Sequence, residues 1–342
     1  MANNTNVSSV LVDENIVGAS DWSVSSCVSL FVTIVGGLLN LGVLSTFLLR
    51  PSLRNPFAIY VINVLVVDLI LALAHGPLNV IERYYPSWYL GLPICVFYVY
   101  LSYTFQSLIN FAHFLIALNR VWAVTFPFSY RAHHTTKFAV VLCISVWLII
   151  HSCQIPTTVL TSVIKPVSDN ASSLHCTIEP AMAEAWSWIT EVVLYEVPLV
   201  LVLISYPVVC YKSFFGGRGQ QITPLSTFQR NRLVSTARER NASVRLAEGA
   251  RDGRRTAICG TLLHGSRTGF ITLSLMFVSV IVCLLPNEVY FTWVMATGKE
   301  SYDVYLVVDA LQRLTTVVDP MVIVLGNTEL RRHWLDLAKI QR

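Results

Sequence analysis

Seven apolar stretches, each long enough to cross a bilayer, run through this chain from Val28 to Leu325. A spanning helix needs about 20 mostly apolar residues, because roughly 30 Å of hydrocarbon is covered at 1.5 Å per residue. The stretches are Val28–Leu49, Phe57–Val80, Pro93–Val124, Phe138–Val163, Trp186–Tyr211, Thr268–Trp293 and Tyr305–Leu325. The fold class they imply is an all-α membrane protein, a seven-transmembrane helix bundle. An odd number of spans places the two ends of the chain on opposite sides of the membrane.

Charge supports this. Only 13% of the 342 residues are charged, against about 25% in an ordinary soluble domain. The longest polar stretch, 213–267, is basic with little apolar content, so no separate soluble domain is expected. The organisation read from the sequence is an extracellular segment 1–26, a seven-span domain 27–326 with a cytoplasmic third loop 213–267, and a tail 327–342. Basic residues set the orientation. Arg50, Arg54, Arg131, Lys137, the Arg-rich third loop and Arg331, Arg332, Lys339 and Arg342 share one face, against Arg83, Lys165 and Lys299 in loops on the other. The positive-inside rule puts the N-terminus of this multi-pass chain outside and its C-terminus in the cytoplasm. The net charge of +4 is then a topological signal, and no nucleic-acid partner is expected. Residues 1–26 lack an apolar h-region, so no cleavable signal peptide is expected. Asn3, Asn6 and Asn170 open N-x-S/T sequons on the outer face. Asn241 fits the same pattern in the cytoplasmic loop, which shows how little the motif says alone.

Of the eight cysteines, Cys143, Cys153, Cys210 and Cys283 lie within spans as small buried hydrophobes, and Cys259 is cytosolic. Cys95 opens the third span on the outer, oxidising side, and Cys176 lies in the outer loop between spans four and five. A Cys95–Cys176 bridge would tie that loop across the mouth of the bundle. Cys27, also outside, has no evident partner.

Each span also carries one short motif. Span one has a Gly-x-Leu-Asn motif ending at Asn40, and span two has Asn63-Val-Leu-Val-Val-Asp68-Leu. The loop after it reads Trp88-Tyr-Leu-Gly91 and reaches Cys95 four residues later. Span three ends Asn119-Arg120-Val-Trp-Ala-Val-Thr-Phe-Pro127. Span four has Trp147 and Pro156, and span five Pro198 with Tyr206 two turns on. Span six has Cys283-Leu-Leu-Pro286, and span seven Asp319-Pro320-Met-Val-Ile323. In register across the chain, these resemble the rhodopsin-like (class A) G-protein-coupled receptors. The resemblance implies a receptor that binds an extracellular ligand and activates a heterotrimeric G protein rather than an enzyme. It also implies activation roles for Asn119, Arg120, Tyr206, Pro286, Asp319 and Pro320, and a Cys95–Cys176 disulfide.

A carboxylate at mid-membrane costs on the order of 2.5–3.5 kcal/mol on insertion scales, so Asp68 should face the bundle interior. Asn40 and Asp319 are its candidate partners, and two close carboxylates need a cation between them or a shared proton. The resemblance implies a sodium ion there, held by Asp68, Asn40, Thr316 and Asp319. Intramembrane Pro156, Pro198, Pro286 and Pro320 each remove a backbone donor and kink their helix. Kinked helices can pivot, as signalling across a membrane requires.

Several positions depart from the family pattern. Asn119 replaces the acidic neighbour of Arg120, so it can hydrogen-bond the guanidinium but not neutralise it. Ser266 is uncharged where relatives place an acid. Leu284 replaces a Trp and Ile323 a Tyr, which weakens the expected link to Tyr206.

The ligand pocket is expected among the outer halves of spans three, five, six and seven. Helical spacing puts Ser102 and Gln106 on one face of span three with Tyr103 beside them. Ser102 stands where amine receptors carry an ammonium-binding Asp. Glu191, Glu288 and Asp309 supply acids elsewhere and favour a cationic ligand, a basic peptide or an amine. Arg313 follows Asp309 by one turn as an i,i+4 pair, and His75–Asn79 reads as another. An opsin is the nearest alternative within the fold, an amine-like or non-retinal relative. Its Schiff-base Lys position is here Arg313, which stays protonated. A transporter or channel is remote, since the halves show no internal repeat. In the tail, 328–340 places Leu330, Trp334 and Leu337 on one face with Arg331, Arg332 and Lys339 elsewhere, a short amphipathic eighth helix on the inner leaflet. In the third loop Arg230, Arg232, Arg238, Arg240 and Arg245 suit anionic lipid, and Ser235 and Ser243 each follow an Arg by three residues.

Overall fold

The computed structural model describes residues 22–164, 176, 184–215, 273–332 and 334. The sequons at Asn3, Asn6 and Asn170, Lys165, the third loop from 216 through Ser266, and Leu337 and Lys339 lie outside the described residues.

Six helices are long and apolar enough to cross a membrane: Val24–Leu49, Pro56–Tyr84, Leu92–Thr125, Thr136–Val159, Trp186–Lys212 and Leu273–Thr297. The seventh, Tyr302–Gly326, is 25 residues long but carries Asp309, Arg313 and Asp319 in its body, which lowers its apolar content. These are the first to seventh spans below. Starts follow local chemistry. The Ser23 side chain caps the first span by accepting from the Ser26 N–H, and Asn55 caps the second ahead of Pro56. A short helix, Pro127–His133, joins the third and fourth spans.

The third span is the axis of the bundle, packed against the second, fourth and fifth, while the first packs on the second and seventh. Its Leu108, Ile109 and Ile116 join Val64, Val67, Val280 and Leu284 in one buried core. The apolar side chains left exposed, such as Leu38, Leu148 and Val282, face outward where lipid would solvate them.

Wide π-turns interrupt three spans, at Leu71–His75, Val192–Glu196 and Val280–Leu284. Each ends two residues before a proline: Pro77, Pro198 and Pro286. A proline has no N–H for the carbonyl four residues earlier and its ring crowds that carbonyl. A wider turn relieves the clash. Pro156, Pro207 and Pro320 instead sit within α-helix. At Pro320 the orphaned carbonyl is that of Thr316, and the Asn40 Nδ2 donates to it at 2.7 Å. The first and seventh spans are thereby joined at the place where the proline leaves an acceptor open.

At the Arg120 end, Ile323 is buried with Phe47, Leu65 and Leu330, and Trp334 packs on this group. A Cβ at Gly42 would stand 2.8 Å from the Trp334 ring, so glycine is what admits the indole. Residues 328–332 are helical, with Leu330 buried and Arg331 and Arg332 exposed. At the opposite end, Cys95 and Cys176 form a disulfide with a Cα–Cα distance of 5.6 Å. Cys27 is an exposed free thiol. The turn before Cys95 closes on Gly91, whose φ of 80° suits glycine, and the Trp88 indole donates to the Gly91 carbonyl. The Trp147 indole donates to Asn63 Oδ1 at 2.9 Å, tying the fourth span to the second.

Candidate functional site

Toward the Cys95 end the helices enclose a cavity of about 930 Å³. Ser102, Tyr103, Gln106, Glu191, Asp309 and Arg313 all line it. Glu288 lies beside it, 1% exposed, and its Oε1 accepts from Gln106 Nε2 (3.1 Å) and Asn110 Nδ2 (2.9 Å). Tyr98, Trp186, Tyr195, Tyr290, Phe291 and Tyr305 give the wall a strong aromatic character. The Tyr195 hydroxyl is fixed by donating to the Tyr103 carbonyl and accepting from Gln154 Nε2.

One wall is a buried charge network. Arg313 donates to both oxygens of Asp309, at 2.7 and 2.9 Å, so the i,i+4 pair is formed. Arg83 joins it, donating to Asp309 Oδ2 at 3.1 Å and lying 3.3 Å from Glu82. This corrects two expectations. Arg83 is not a loop residue: it closes the second span with its side chain only 3% exposed. Asp309 is compensated by two guanidinium groups, so it does not lend the cavity free negative charge.

His75 and Asn79 do not bond each other as expected. They share a face of the second span and reach across as two rungs, His75 to Ser102 (2.6 Å) and Asn79 to Tyr98 (3.0 Å). Tyr98 and Ser102 are themselves one turn apart, so each side chain finds a partner on the facing helix before its own. Arg313 donates toward His75 Nδ1 at 2.9 Å, which leaves Nε2 carrying the proton toward Ser102. Ser102 is therefore held in the wall rather than offered to a ligand.

Three further acids without an ion pair among the described residues gather between the fifth and sixth spans. Glu191, Glu196 and Glu288 bring one oxygen each to within 4.8 Å of one another. Glu196 was not legible in the sequence. It follows Glu191 by five residues, which an α-helix would turn to a different face, but the π-turn Val192–Glu196 stacks residues five apart.

Deeper in the bundle, Asp68 and Asp319 are fully buried, as expected. Both Asp68 oxygens and Asn40 Oδ1 have no hydrogen-bond partner among the described residues, a donor set that fits a small cation. Asp319 differs. His113 Nε2 stands 3.1 Å from its Oδ2, an ion-pair distance without the alignment of a good hydrogen bond. His113 Nδ1 meets the Ile109 carbonyl at 2.9 Å. The sequence reading missed His113, although it lies one turn from Asn110 on the interior face of the third span.

At the Arg120 end, Asn119 does not take up the neighbouring guanidinium. Its Nδ2 lies 2.8 Å from His134 Nε2, and its Oδ1 accepts from Tyr130. Arg120 instead lies over the Phe57 ring, 3.6 Å from its centroid, and makes no ion pair among the described residues. Tyr206 faces the sixth span, stacked on Phe277 with its hydroxyl 3.3 Å from Ser274.

A model of the family described as 7 transmembrane receptor (rhodopsin family) matches residues 39–322, and the chain belongs to that family. A G-protein coupled receptor homolog of fowlpox virus is 29% identical over 171 residues, 47% of this chain and 54% of its own. The 5-hydroxytryptamine receptor 1E of Homo sapiens is 28% identical over 214 residues, covering 61% and 58%. The gastrin/cholecystokinin type B receptor of Mus musculus is 25% identical over 190 residues, covering 55% and 41%. The chain spans about half the length of these relatives.

Proposed function

We propose that this multi-pass membrane protein is a plasma-membrane receptor with its N-terminus outside. It binds an extracellular ligand bearing a positive group, an amine or a basic peptide, in the cavity beside Glu191, and activates a heterotrimeric G protein through its Arg120 end. One observation carries the ligand class. Glu191 lines the cavity with an oxygen that has no hydrogen-bond partner, among Tyr103, Trp186, Tyr195 and Phe291. A carboxylate in a cavity with aromatic walls attracts ammonium and guanidinium groups by charge and by cation–π contact, the latter about 0.5–2 kcal/mol per ring. Glu288 reinforces the field, whereas Asp309 and Arg313 serve to shape the wall. The cavity volume suits a small molecule or the end of a peptide. The matched relatives include one named for an amine and one named for peptides.

On the inner side, Arg120 and Tyr206 are the residues through which coupling would run, with Pro286 and Pro320 as pivots. Asp68, with Asn40, Thr316 and Asp319, would hold a sodium ion that neutralises the buried acids of the resting bundle. Glycans on Asn3, Asn6 and Asn170 fit the same orientation.

The test is an agonist screen of amines and basic peptides in cells, read by a panel of G-protein sensors. Glu191→Gln and Glu288→Gln at matched surface levels should lower the potency of a cationic agonist at least tenfold. A purely anionic or lipidic agonist whose potency neither variant changes would overturn the reading.

A further inference from the structure

The geometry points to a binding site for a hard divalent cation of calcium's size between the fifth and sixth spans, held by Glu191, Glu196 and Glu288. Three features define it. The three carboxylates converge, with one oxygen of each within 4.8 Å of the others. Glu288 is 99% buried by its 1% exposure, and its Oε2 has no hydrogen-bond partner. None of the cluster's acids makes an ion pair among the described residues, unlike Asp309 on the seventh span with its two arginines.

Three carboxylates drawn together in a poorly solvated place repel one another strongly, so they must share protons or hold a cation, and a divalent ion would compensate all three at once. Calcium binds oxygens at about 2.3–2.6 Å, which sets facing ligand oxygens about 4.6–5.2 Å apart. The cluster therefore closes on such an ion with little movement. All of its donors are oxygens, with no His or Cys, which favours calcium, magnesium or manganese over zinc or copper. The surrounding groups hold the ligands in place. Gln106 and Asn110 anchor Glu288 through Oε1, and the Thr292 hydroxyl donates to Glu196 Oε1 at 2.6 Å.

A bound ion would join the fifth span to the sixth and, through Gln106 and Asn110, to the third. Glu191 faces both this cluster and the cavity, so an ion and a cationic ligand would draw on one carboxylate. That last point rests on the proposed ligand class; the ion site does not. By linkage, each would weaken the other's binding by the same factor.

The full chain in lipid nanodiscs, without agonist, is titrated with terbium as a luminescent calcium substitute, its emission sensitised by the aromatic residues around Glu191. Saturable emission, displaced by calcium but not by sodium chloride of equal ionic strength, supports the site. Glu196→Gln, which changes a residue outside the cavity lining, should raise the half-saturating concentration at least tenfold, and Thr292→Val should raise it less. If the variant is poorly folded, the wild-type calcium displacement still decides. Emission that never saturates, that sodium chloride displaces equally, or that Glu196→Gln leaves unchanged overturns the site. Failure here leaves the agonist screen untouched, since that is read on Glu191 and Glu288 with no divalent ion added.

Discussion

His113 and Asp319 meet at 3.1 Å in the middle of the bundle, both buried, and the imidazole stands where the buried acids otherwise have no counter-charge among the described residues. With Nδ1 directed at the Ile109 carbonyl, a neutral ring would aim the Nε2 lone pair at a carboxylate. A proton between the two removes that clash. His113→Leu should therefore leave Asp68 and Asp319 dependent on an external cation. The melting temperature of the purified variant should rise more steeply with sodium than that of wild type, with N-methylglucamine chloride as the ionic-strength control. Equal sodium dependence in the two proteins would contradict this role for His113.

Asp309 should matter more than either of its partners. Removing one member of a buried ion pair costs about 3–5 kcal/mol, because a charge is stranded. Asp309→Asn strands Arg313 and leaves Arg83 with Glu82 alone, whereas Arg83→Met leaves Asp309 paired with Arg313. Surface expression and melting temperature should fall in the order wild type, Arg83→Met, Asp309→Asn. The reverse order of the two variants would show that the Arg83 contact dominates.

The disulfide joins residues 81 apart in sequence and holds Cys176 against Tyr98 and Trp88. Loss of such a bridge costs about 2–4 kcal/mol. Cys95→Ala should sharply reduce surface expression, and mass mapping of the wild type should find Cys95 and Cys176 linked. Two free thiols would refute the pairing.

Resting activity should be high. Arg120 lies on Phe57 without an acidic partner among the described residues, so the charge-assisted bond that would hold it, about 1.5–3 kcal/mol, is missing. Asn119→Asp supplies that charge next to the guanidinium. Each ~1.4 kcal/mol of added restraint lowers the active population about tenfold. Basal G-protein activation should fall in the variant at matched surface levels; an unchanged or higher signal would refute it.

The same corner should respond to pH. Burial, with Arg120 beside it, holds the His134 imidazole below its usual range, and the Asn119 amide donates to the unprotonated Nε2. Between that lowered value and about 6.5 the unfolded chain binds the proton more readily than the folded one. Stability therefore rises with pH across this window and is lost on acidification. The melting temperature should drop from pH 7.5 to 6, and His134→Gln should flatten that drop. An identical slope in the variant would assign the response elsewhere.

The seven spans and the interior placement of Asp68 and Asp319 were legible because burial in lipid imposes simple rules on length and polarity, while the Cys95–Cys176 pair was legible from the family resemblance and the oxidising side of the membrane. The Asp309–Arg313 pair was legible because i,i+4 spacing is local. Arg83 was not, since a charge near a helix end looks like a loop residue until its partner on another helix is known. His113 had no signal apart from the face it shares with Asn110. Asn119 is adjacent to Arg120 in sequence but points to Tyr130 and His134, a choice made by the packing of the Pro127–His133 helix. Glu196 escaped because a 3.6-residue count fails across a wide turn.

Those wide turns have a further consequence. In the second, fifth and sixth spans each one separates residues facing the cavity from residues facing the Arg120 end. One residue added there would rotate the cavity half of its helix by about 100° and leave the other half in phase. Inserting one residue after Val193, for instance, would swing Glu191 away from Glu196 without moving Tyr206. The bundle thus holds two independently indexed surfaces on one set of helices, so that what the cavity recognises can drift while the transmitting end stays fixed.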